Sequence, residues 1–275
     1  MLGDSLQCVT FRGSGAAGAA ACSAYVPPGP HGPGVPVFLA PAFGLDGRGF
    51  ERLSPISQQR RTVFWNLPNE LPSSGGVAAL ARLFVEHADL AGMPRRFVFG
   101  GSSFGGTIAL AAAIEFPERC AGLVTIGTSP SWRQLGVRLH VARWLLDLIP
   151  ERGFHRKFAW ILFGPAGRSE DGDALRRQAF HRTKGFARAI VDRIHDGGPL
   201  DLGHRMHEIR SPTLVLHDPH ERVVPFDAAD TIGHVRGSFV HELPRCGHLP
   251  YVREAPKVLE AIVPFLARVD AREHA

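Results

Sequence analysis

The sequence predicts an α/β fold in which a doubly wound, mostly parallel β-sheet carries an all-helical cap insertion. Short apolar runs rich in Val, Ile, Phe and Leu alternate with longer segments of helical periodicity, which is typical of buried parallel strands joined by crossover helices. The alternation stops between residues 131 and 206, where only helical patterns occur. With 275 residues, of which 44% are hydrophobic, the chain is long enough to bury such a core.

The predicted strands are the short apolar runs. A short β-hairpin comes first and is followed by a loop rich in Pro and Gly over residues 27–36. Strands buried on both faces are then expected at 35–39, 62–67, 96–99, 123–126 and 213–216, with a further strand-like run at 238–243.

The predicted helices of the core follow from spacing and punctuation. Residues 77–90 place apolar side chains at helical intervals, and residues 257–269 form an amphipathic segment near the end of the chain. Residues 104–116 are nearly uncharged and rich in Ala, so this helix is expected to be buried, and Pro117 marks its end.

The central segment is predicted to be a separate helical unit. Helical patterns cover residues 134–149, 154–163 and 173–194, so we expect a core at 1–130 and 207–275 and a cap at 131–206. The cap segment holds 14 Lys and Arg against 8 Asp and Glu. This excess is consistent with a solvated face or with attraction of an anionic substrate or partner.

Four cysteines, Cys8, Cys22, Cys120 and Cys246, are scattered without a CxxC pair, so no disulfide framework is expected. No apolar run approaches the roughly 18 residues that cross a bilayer, and the first residues lack a signal-peptide pattern. We therefore expect a cytoplasmic protein with no membrane span and no nucleic-acid partner.

The most informative motif is the G-x-S-x-G pattern of residues 101–105, which occurs once. It directly follows a predicted strand and opens the buried helix, the setting in which a sharp turn exposes a serine hydroxyl as a nucleophile. Ser103 is then the candidate nucleophile, and the backbone N–H of Phe104 is a candidate oxyanion donor. The alternative is a glycine-rich turn without chemistry. The glycines match neither phosphate-binding pattern, G-x-G-x-x-G or G-x-x-x-x-G-K-[ST].

Over nearly its whole length the chain resembles α/β-hydrolase-fold proteins with a helical cap. The matching segments are residues 37–44, 100–106, 116–130, 212–216 with 223–225, and 246–250 with Glu254 and Pro256. The resemblance implies hydrolysis or transfer of an acyl group through a serine ester, without a cofactor. Epoxide hydrolases and haloalkane dehalogenases of this fold need a carboxylate nucleophile. A serine at this position therefore argues against both of these enzyme classes.

The resemblance also implies a base and an acid. His248 lies in the loop before the final helix, where the family places its catalytic base. Relatives usually carry an Asp four residues before the proline that ends the preceding loop; here that proline is Pro225 and the position holds Glu221. Asp218, at a position more often occupied by glycine, is the alternative acid. A carboxylate within hydrogen-bonding reach of the imidazole is what the chemistry needs.

The second oxyanion donor implied by the resemblance is the N–H of Phe43, in the loop after the strand at 35–39. This loop departs from the family, which commonly has His-Gly where the chain has Pro41 and Ala42. Phe43 could instead be an ordinary core aromatic. Two histidine pairs, 204 with 207 and 217 with 220, have spacings found in metal sites, but no carboxylate or cysteine pattern completes one, so no metal is predicted.

Together these features predict a serine hydrolase that cleaves a carboxylic ester or thioester through an acyl-enzyme, with Ser103, His248 and Glu221 as its triad. The expected partner is a small-molecule ester or thioester. The basic segment favours acyl groups on anionic carriers such as coenzyme A or acyl carrier protein. Two alternatives remain: an acyltransferase of the same fold, or a catalytically inactive ligand-binding protein with this architecture.

Overall fold

The computed structural model describes residues 6–13, 21–42, 45–68, 75–131 and 201–275. Within them an eight-stranded sheet has the order β1-β2-β4-β3-β5-β6-β7-β8. Its strands are β1 (Gln7–Arg12), β2 (Ala21–Val26), β3 (Gly34–Ala40), β4 (Arg60–Trp65), β5 (Phe97–Ser102), β6 (Cys120–Ile126), β7 (Thr213–His217) and β8 (Ser238–Glu242). β1 and β2 are antiparallel, whereas the pairs from β4 to β8 are parallel, which confirms the mostly parallel sheet.

Strand β5 is longer than predicted. The apolar run ends at Phe99, but the strand continues through two glycines to Ser102, and Gly101 and Ser102 pair with Thr125 and Ile126 of β6. Glycine has a low strand propensity, so the pattern could not reveal this extension. Pairing with neighbouring strands holds these residues in the sheet and carries the chain to Ser103 without a loop.

The described helices are α1 (Gly76–Leu90), α2 (Phe104–Glu115), α3 (Phe226–Gly233), α4 (Pro250–Arg253) and α5 (Ala255–Glu273), with 3-10 segments at Gly47–Gln58 and Gly203–Glu208. The three predicted core helices are confirmed as α1, α2 and α5. Helix α5 begins two residues earlier and ends four residues later than predicted, and Pro264 within it does not interrupt the helix. Helix α3 was not predicted, since eight residues give little periodicity.

Helices cover both faces of the sheet, as a doubly wound fold requires. One hydrophobic cluster joins the sheet to α1, α2 and α3, and the other joins it to the segment Gly47–Gln58, α4 and α5. In the first, Phe38 packs edge-on against Phe84 at 5.0 Å between ring centroids. Helix α2 is apolar all round and buried from Phe104 to Ile114. Burial of each large side chain contributes about 2 kcal/mol to stability.

Most of the predicted cap, residues 132–200, lies outside the described residues, including its predicted helices at 134–149, 154–163 and 173–194. The two described ends of that segment lie side by side: Ser131 and Asp201 form an antiparallel bridge, and the N–H of Leu202 donates to Pro130 O at 2.8 Å. Leu202 and Met206 are buried in the core of the α2 side. The division into core and cap stays a prediction.

The four cysteines are free thiols, and burial raises the pKa of Cys22 and of Cys120 to about 12. A thiol that resists ionisation is a poor nucleophile, so neither cysteine competes with a serine for chemistry. None of the described helices is both long and apolar enough to span a membrane.

Candidate active site

Ser103 sits in the turn between β5 and α2 with a strained backbone. Its φ is 52° and its ψ is −120°, a region that side chains disfavour. Backbone bonds hold the turn from both sides: Ser103 N donates to Ile126 O at 2.8 Å, and Thr107 N donates to Ser103 O at 3.1 Å. The turn therefore presents the Ser103 hydroxyl at the carboxyl edge of the sheet, as the motif predicts.

Glycines flank Ser103 because the backbone segments approach too closely for side chains. A Cβ on Gly101 would lie 2.4 Å from the carbonyl carbon of Gly105. A Cβ on Gly105 would lie 2.3 Å from the carbonyl oxygens of Ala40 and Pro41. The start of α2 thus rests directly on the loop that follows β3, the loop in which an oxyanion donor is expected.

His248 contacts Ser103 across 145 residues of sequence. Its Nε2 lies 2.9 Å from Ser103 Oγ, a distance suited to proton transfer. Both side chains are almost fully buried. His248 lies just before α4, in the loop that the family resemblance implied, and its other ring nitrogen faces a carboxylate.

That carboxylate belongs to Glu221. His248 Nδ1 lies 2.9 Å from Glu221 Oε1, and the side chain of Glu221 is only 1% exposed. Two backbone groups donate to it: Val224 N to Oε1 at 3.0 Å and Val223 N to Oε2 at 2.7 Å. N–H donors stabilise the ionised form of a buried carboxylate and hold it in one orientation. The geometry thus joins Ser103, His248 and Glu221 in one chain of hydrogen bonds.

Asp218, the alternative acid, has a different set of partners. Its Oδ1 accepts from the N–H groups of His220 and Arg245, at 2.8 and 3.1 Å, and its Oδ2 accepts from Gly247 N at 2.6 Å. Asp218 thereby ties the loop after β7 to the loop that carries His248. Its carboxylate holds the backbone next to the histidine, whereas the imidazole itself is bonded to Glu221.

Two further residues at the site were not predicted to have a role there. Gly127, just after β6, has φ 54°, and a Cβ there would lie 2.8 Å from His248 O and 3.3 Å from its Nδ1. His217, at the end of β7, is buried, and its Nε2 lies 3.6 Å from Glu221 Oε1. The signal for both was their place directly at the carboxyl end of a strand, where the sites of open α/β sheets lie.

Of the two predicted oxyanion donors, one lies in the described part of the chain. Phe43 is outside the described residues, so its role stays a prediction. Phe104 is the first residue of α2, directly after Ser103. The N-terminal end of a helix carries a partial positive charge, which favours negative charge developing beside it. No cluster of three His, Cys, Asp or Glu side chains suited to a metal ion occurs in the described part of the chain.

The architecture and this arrangement match a known family. The family model described as "Alpha/beta hydrolase family" matches residues 31–262, which is most of the chain. The chain belongs to the alpha/beta hydrolase family. The match spans the sheet from β3 onward, the turn at Ser103 and the loops that carry Glu221 and His248.

Relatives in this family are hydrolases and esterases. The chain is 30% identical over 231 residues to 2-hydroxymuconate semialdehyde hydrolase of Pseudomonas putida, covering 78% of this chain and 80% of that one. It is 23% identical over 252 residues to pimeloyl-[acyl-carrier protein] methyl ester esterase of Shewanella sp. (strain MR-7), covering 86% and 92%. A thermophilic esterase from Thermogutta terrifontis shares the fold, with a TM-score of 0.79, 20% identity, and coverage of 96% and 99%.

Proposed function

We propose that this hydrolase cleaves a carboxylic ester or thioester through an acyl-enzyme intermediate, with Ser103 as nucleophile, His248 as general base and Glu221 as the acid of the triad. The observation that carries the proposal is the pair of 2.9 Å contacts of His248, one to Ser103 Oγ and one to Glu221 Oε1. A serine hydroxyl is inert at neutral pH unless a base accepts its proton, and these contacts supply both the base and the group that orients it.

Catalysis proceeds through two acyl transfers, the first to Ser103 and the second to water. Ser103 Oγ attacks the substrate carbonyl carbon while His248 Nε2 accepts the hydroxyl proton, and the carbonyl oxygen becomes an oxyanion. We assign the N–H groups of Phe43 and Phe104 to that oxyanion. Collapse breaks the bond to the leaving alcohol or thiol, which takes the proton from His248. Water then attacks the acyl-enzyme, gives its proton to His248, and Ser103 leaves with that proton as the acid product is released.

Glutamate suits the acid role in this loop. The Glu221 carboxylate reaches the imidazole while bonded to the N–H groups of Val223 and Val224, so its position depends on backbone rather than on mobile side chains. A carboxylate held in this way stabilises the imidazolium that forms in each transition state and keeps the proton on Nδ1 in the resting state.

A fluorophosphonate probe tests the proposal directly. We expect covalent labelling of the wild type and no labelling of Ser103→Ala, because the probe reacts with an activated serine. Ser102→Ala is the matched control: the Ser102 Oγ makes no hydrogen bond to His248, so labelling should remain. Equal labelling of Ser103→Ala and the wild type would contradict the assignment. A folded wild type that neither labels nor hydrolyses esters would favour the ligand-binding alternative.

An acyl group on an anionic carrier is the substrate class we propose. Residues 131–206 hold 14 basic against 8 acidic residues, and the esterase relative from Shewanella acts, by its name, on an ester attached to acyl carrier protein. Salt screens attraction between charged surfaces. Hydrolysis of an acyl-coenzyme A thioester should therefore slow as salt rises, while hydrolysis of a neutral p-nitrophenyl ester should not. If salt affected the hydrolysis of both substrates equally, anionic carriers would be excluded as the substrate class. Recovery of the free acid as product would distinguish hydrolysis from transfer of the acyl group to another acceptor.

A further inference from the structure

His217 is a second buried histidine beside the Glu221 carboxylate, and the proposed triad does not use it. It is the last residue of β7, and its side chain is fully buried. Its Nε2 lies 3.1 Å from the carbonyl oxygen of Val224 and 3.6 Å from Glu221 Oε1. Its Nδ1 is buried and has no hydrogen-bond partner among the described residues.

The contacts decide the state of the ring. A carbonyl oxygen only accepts, so Nε2 carries the hydrogen that it donates to Val224. Burial lowers the pKa of His217, and the charge of His248 acts in the same direction, whereas the carboxylates of Glu221 and Asp218 oppose it. The ring is therefore neutral in the range where the enzyme would work, with its N–H edge directed toward Val224 and Glu221.

Val224 links His217 to the acid. Its carbonyl oxygen accepts from His217, and its N–H donates to Glu221 Oε1. The imidazole therefore holds the residue that holds the carboxylate. Phe226 packs edge-on against the ring at 5.7 Å between centroids and helps to keep it in place. The Glu221 side chain beside this ring is 1% exposed.

We propose that His217 is a positioning residue of the active site: it anchors the Val224 peptide and thereby keeps Glu221 aligned with His248. The inference rests on the proposed function, since it assigns to His217 a part in the same triad. It acts through Glu221 and touches neither the substrate nor Ser103. Its neutral imidazole provides a donor that a hydrophobic side chain of similar shape lacks.

Steady-state kinetics of His217→Phe against pH tests this role. We expect kcat to fall about tenfold with KM within twofold, because the acid rather than the binding pocket is disturbed. The acid limb of kcat/KM should move to lower pH, because a loosened carboxylate stabilises the imidazolium less. His217→Gln, whose amide can still donate to Val224, should stay within threefold of the wild type. His234→Phe is the matched control: it replaces an exposed histidine that makes no contact with Glu221 or His248, and it should change neither quantity.

A purely structural role would give another result. If His217→Phe lowers Tm while kcat and the acid limb match the wild type, the proposal is overturned. Should His217→Phe not fold, His217→Gln and His217→Asn decide the question, since only the longer amide reaches the Val224 carbonyl: at least fivefold higher kcat for Gln supports the proposal, and equal rates overturn it. Activity retained by Ser103→Ala would instead overturn the proposed function, so the two failures are distinct.

Discussion

At the scale of single residues, the site combines a strained backbone at Ser103 with backbone segments that lie very close to it. Ser103 holds φ 52° at a cost of about 1–2 kcal/mol, which the backbone bonds to Ile126 and Thr107 offset. The loop after β7 carries two carboxylates with different hydrogen-bond partners. Glu221 bonds the imidazole of His248, and Asp218 bonds the backbone beside it. Each of these interactions can be removed separately by an amide substitution of nearly the same shape.

Glu221→Gln should lower kcat/KM about a thousandfold, because a neutral amide cannot stabilise the imidazolium of His248. Asp218→Asn should cause a smaller loss, about tenfold, because it weakens hydrogen bonds to the backbone around His248 and leaves the Glu221 contact in place. Hydrolysis of a p-nitrophenyl ester by the two variants gives the comparison. A larger loss in Asp218→Asn would reverse the assignment of the acid.

Gly127→Ala should reduce both activity and stability. The new methyl group would lie 2.8 Å from His248 O, and the backbone keeps φ 54°. Gly237→Ala provides a matched control, because Gly237 has φ 78° and nothing within 4 Å of the added Cβ. Both variants should lose about 1 kcal/mol of unfolding free energy from backbone strain, whereas only Gly127→Ala should lower kcat. Equal kcat values in the two would show that His248 tolerates the contact.

At the scale of elements, a partly buried ion pair joins the last helix to the sheet. Arg60 of β4 donates to Asp270 of α5 through both terminal nitrogens, at 2.8 and 3.0 Å, and Val35 N of β3 donates to the same carboxylate at 2.8 Å. The Arg60 side chain is 1% exposed. Removing one partner of such a pair leaves a buried charge without compensation, which destabilises far more than losing a surface pair.

Asp270→Asn should therefore lower the free energy of unfolding by about 3 kcal/mol. Urea unfolding followed by circular dichroism measures the change. Glu254→Gln is the control, because it breaks the exposed pair of Glu254 with Lys257 and should leave the unfolding midpoint unchanged. A midpoint for Asp270→Asn that matches the wild type would mean that α5 is held by its apolar face alone.

At the scale of the whole molecule, the buried pair of Trp65 and His87 makes global stability depend on pH. Trp65 Nε1 donates to His87 Nδ1 at 2.9 Å inside the core, so the ring accepts there in its neutral form. Burial lowers the pKa of His87 to about 4. In the unfolded chain a histidine takes up its proton near pH 6.5, so acid favours the unfolded state.

The direction in which stability changes with pH follows from the difference between these two pKa values. The contribution of His87 is fully present above pH 6.5 and is lost as pH falls from about 6.5 to about 4, by on the order of 3 kcal/mol. His87→Gln keeps an acceptor for Trp65 and removes the titrating group, so its stability should decline less over this range. The buried His217, whose pKa is also lowered, contributes acid sensitivity of the same sign. Parallel curves of unfolding free energy against pH for the wild type and His87→Gln would contradict the prediction.

Much of the fold could be predicted because its signals are local. The runs at 123–126 and 213–216 lie within β6 and β7, and the G-x-S-x-G pattern placed Ser103 between a strand and a buried helix. Local signals were weak where tertiary packing overrode the secondary-structure propensity of the residues. Neither the glycine extension of β5 nor helix α3 has a pattern of its own, and tertiary packing determines both.

The order of residues was sufficient to predict the sheet and the turn that holds Ser103, because periodicity and turn chemistry act over a few neighbouring positions. The family resemblance indicated the loop of His248. It left open whether Glu221 or Asp218 bonds His248. Both carboxylates are on one short loop, and only their directions in space separate them. The pairing of Arg60 with Asp270 and the approach of Gly127 to His248 likewise depend on the folded coordinates. Each joins segments far apart in the chain, and packing in three dimensions alone determines such contacts.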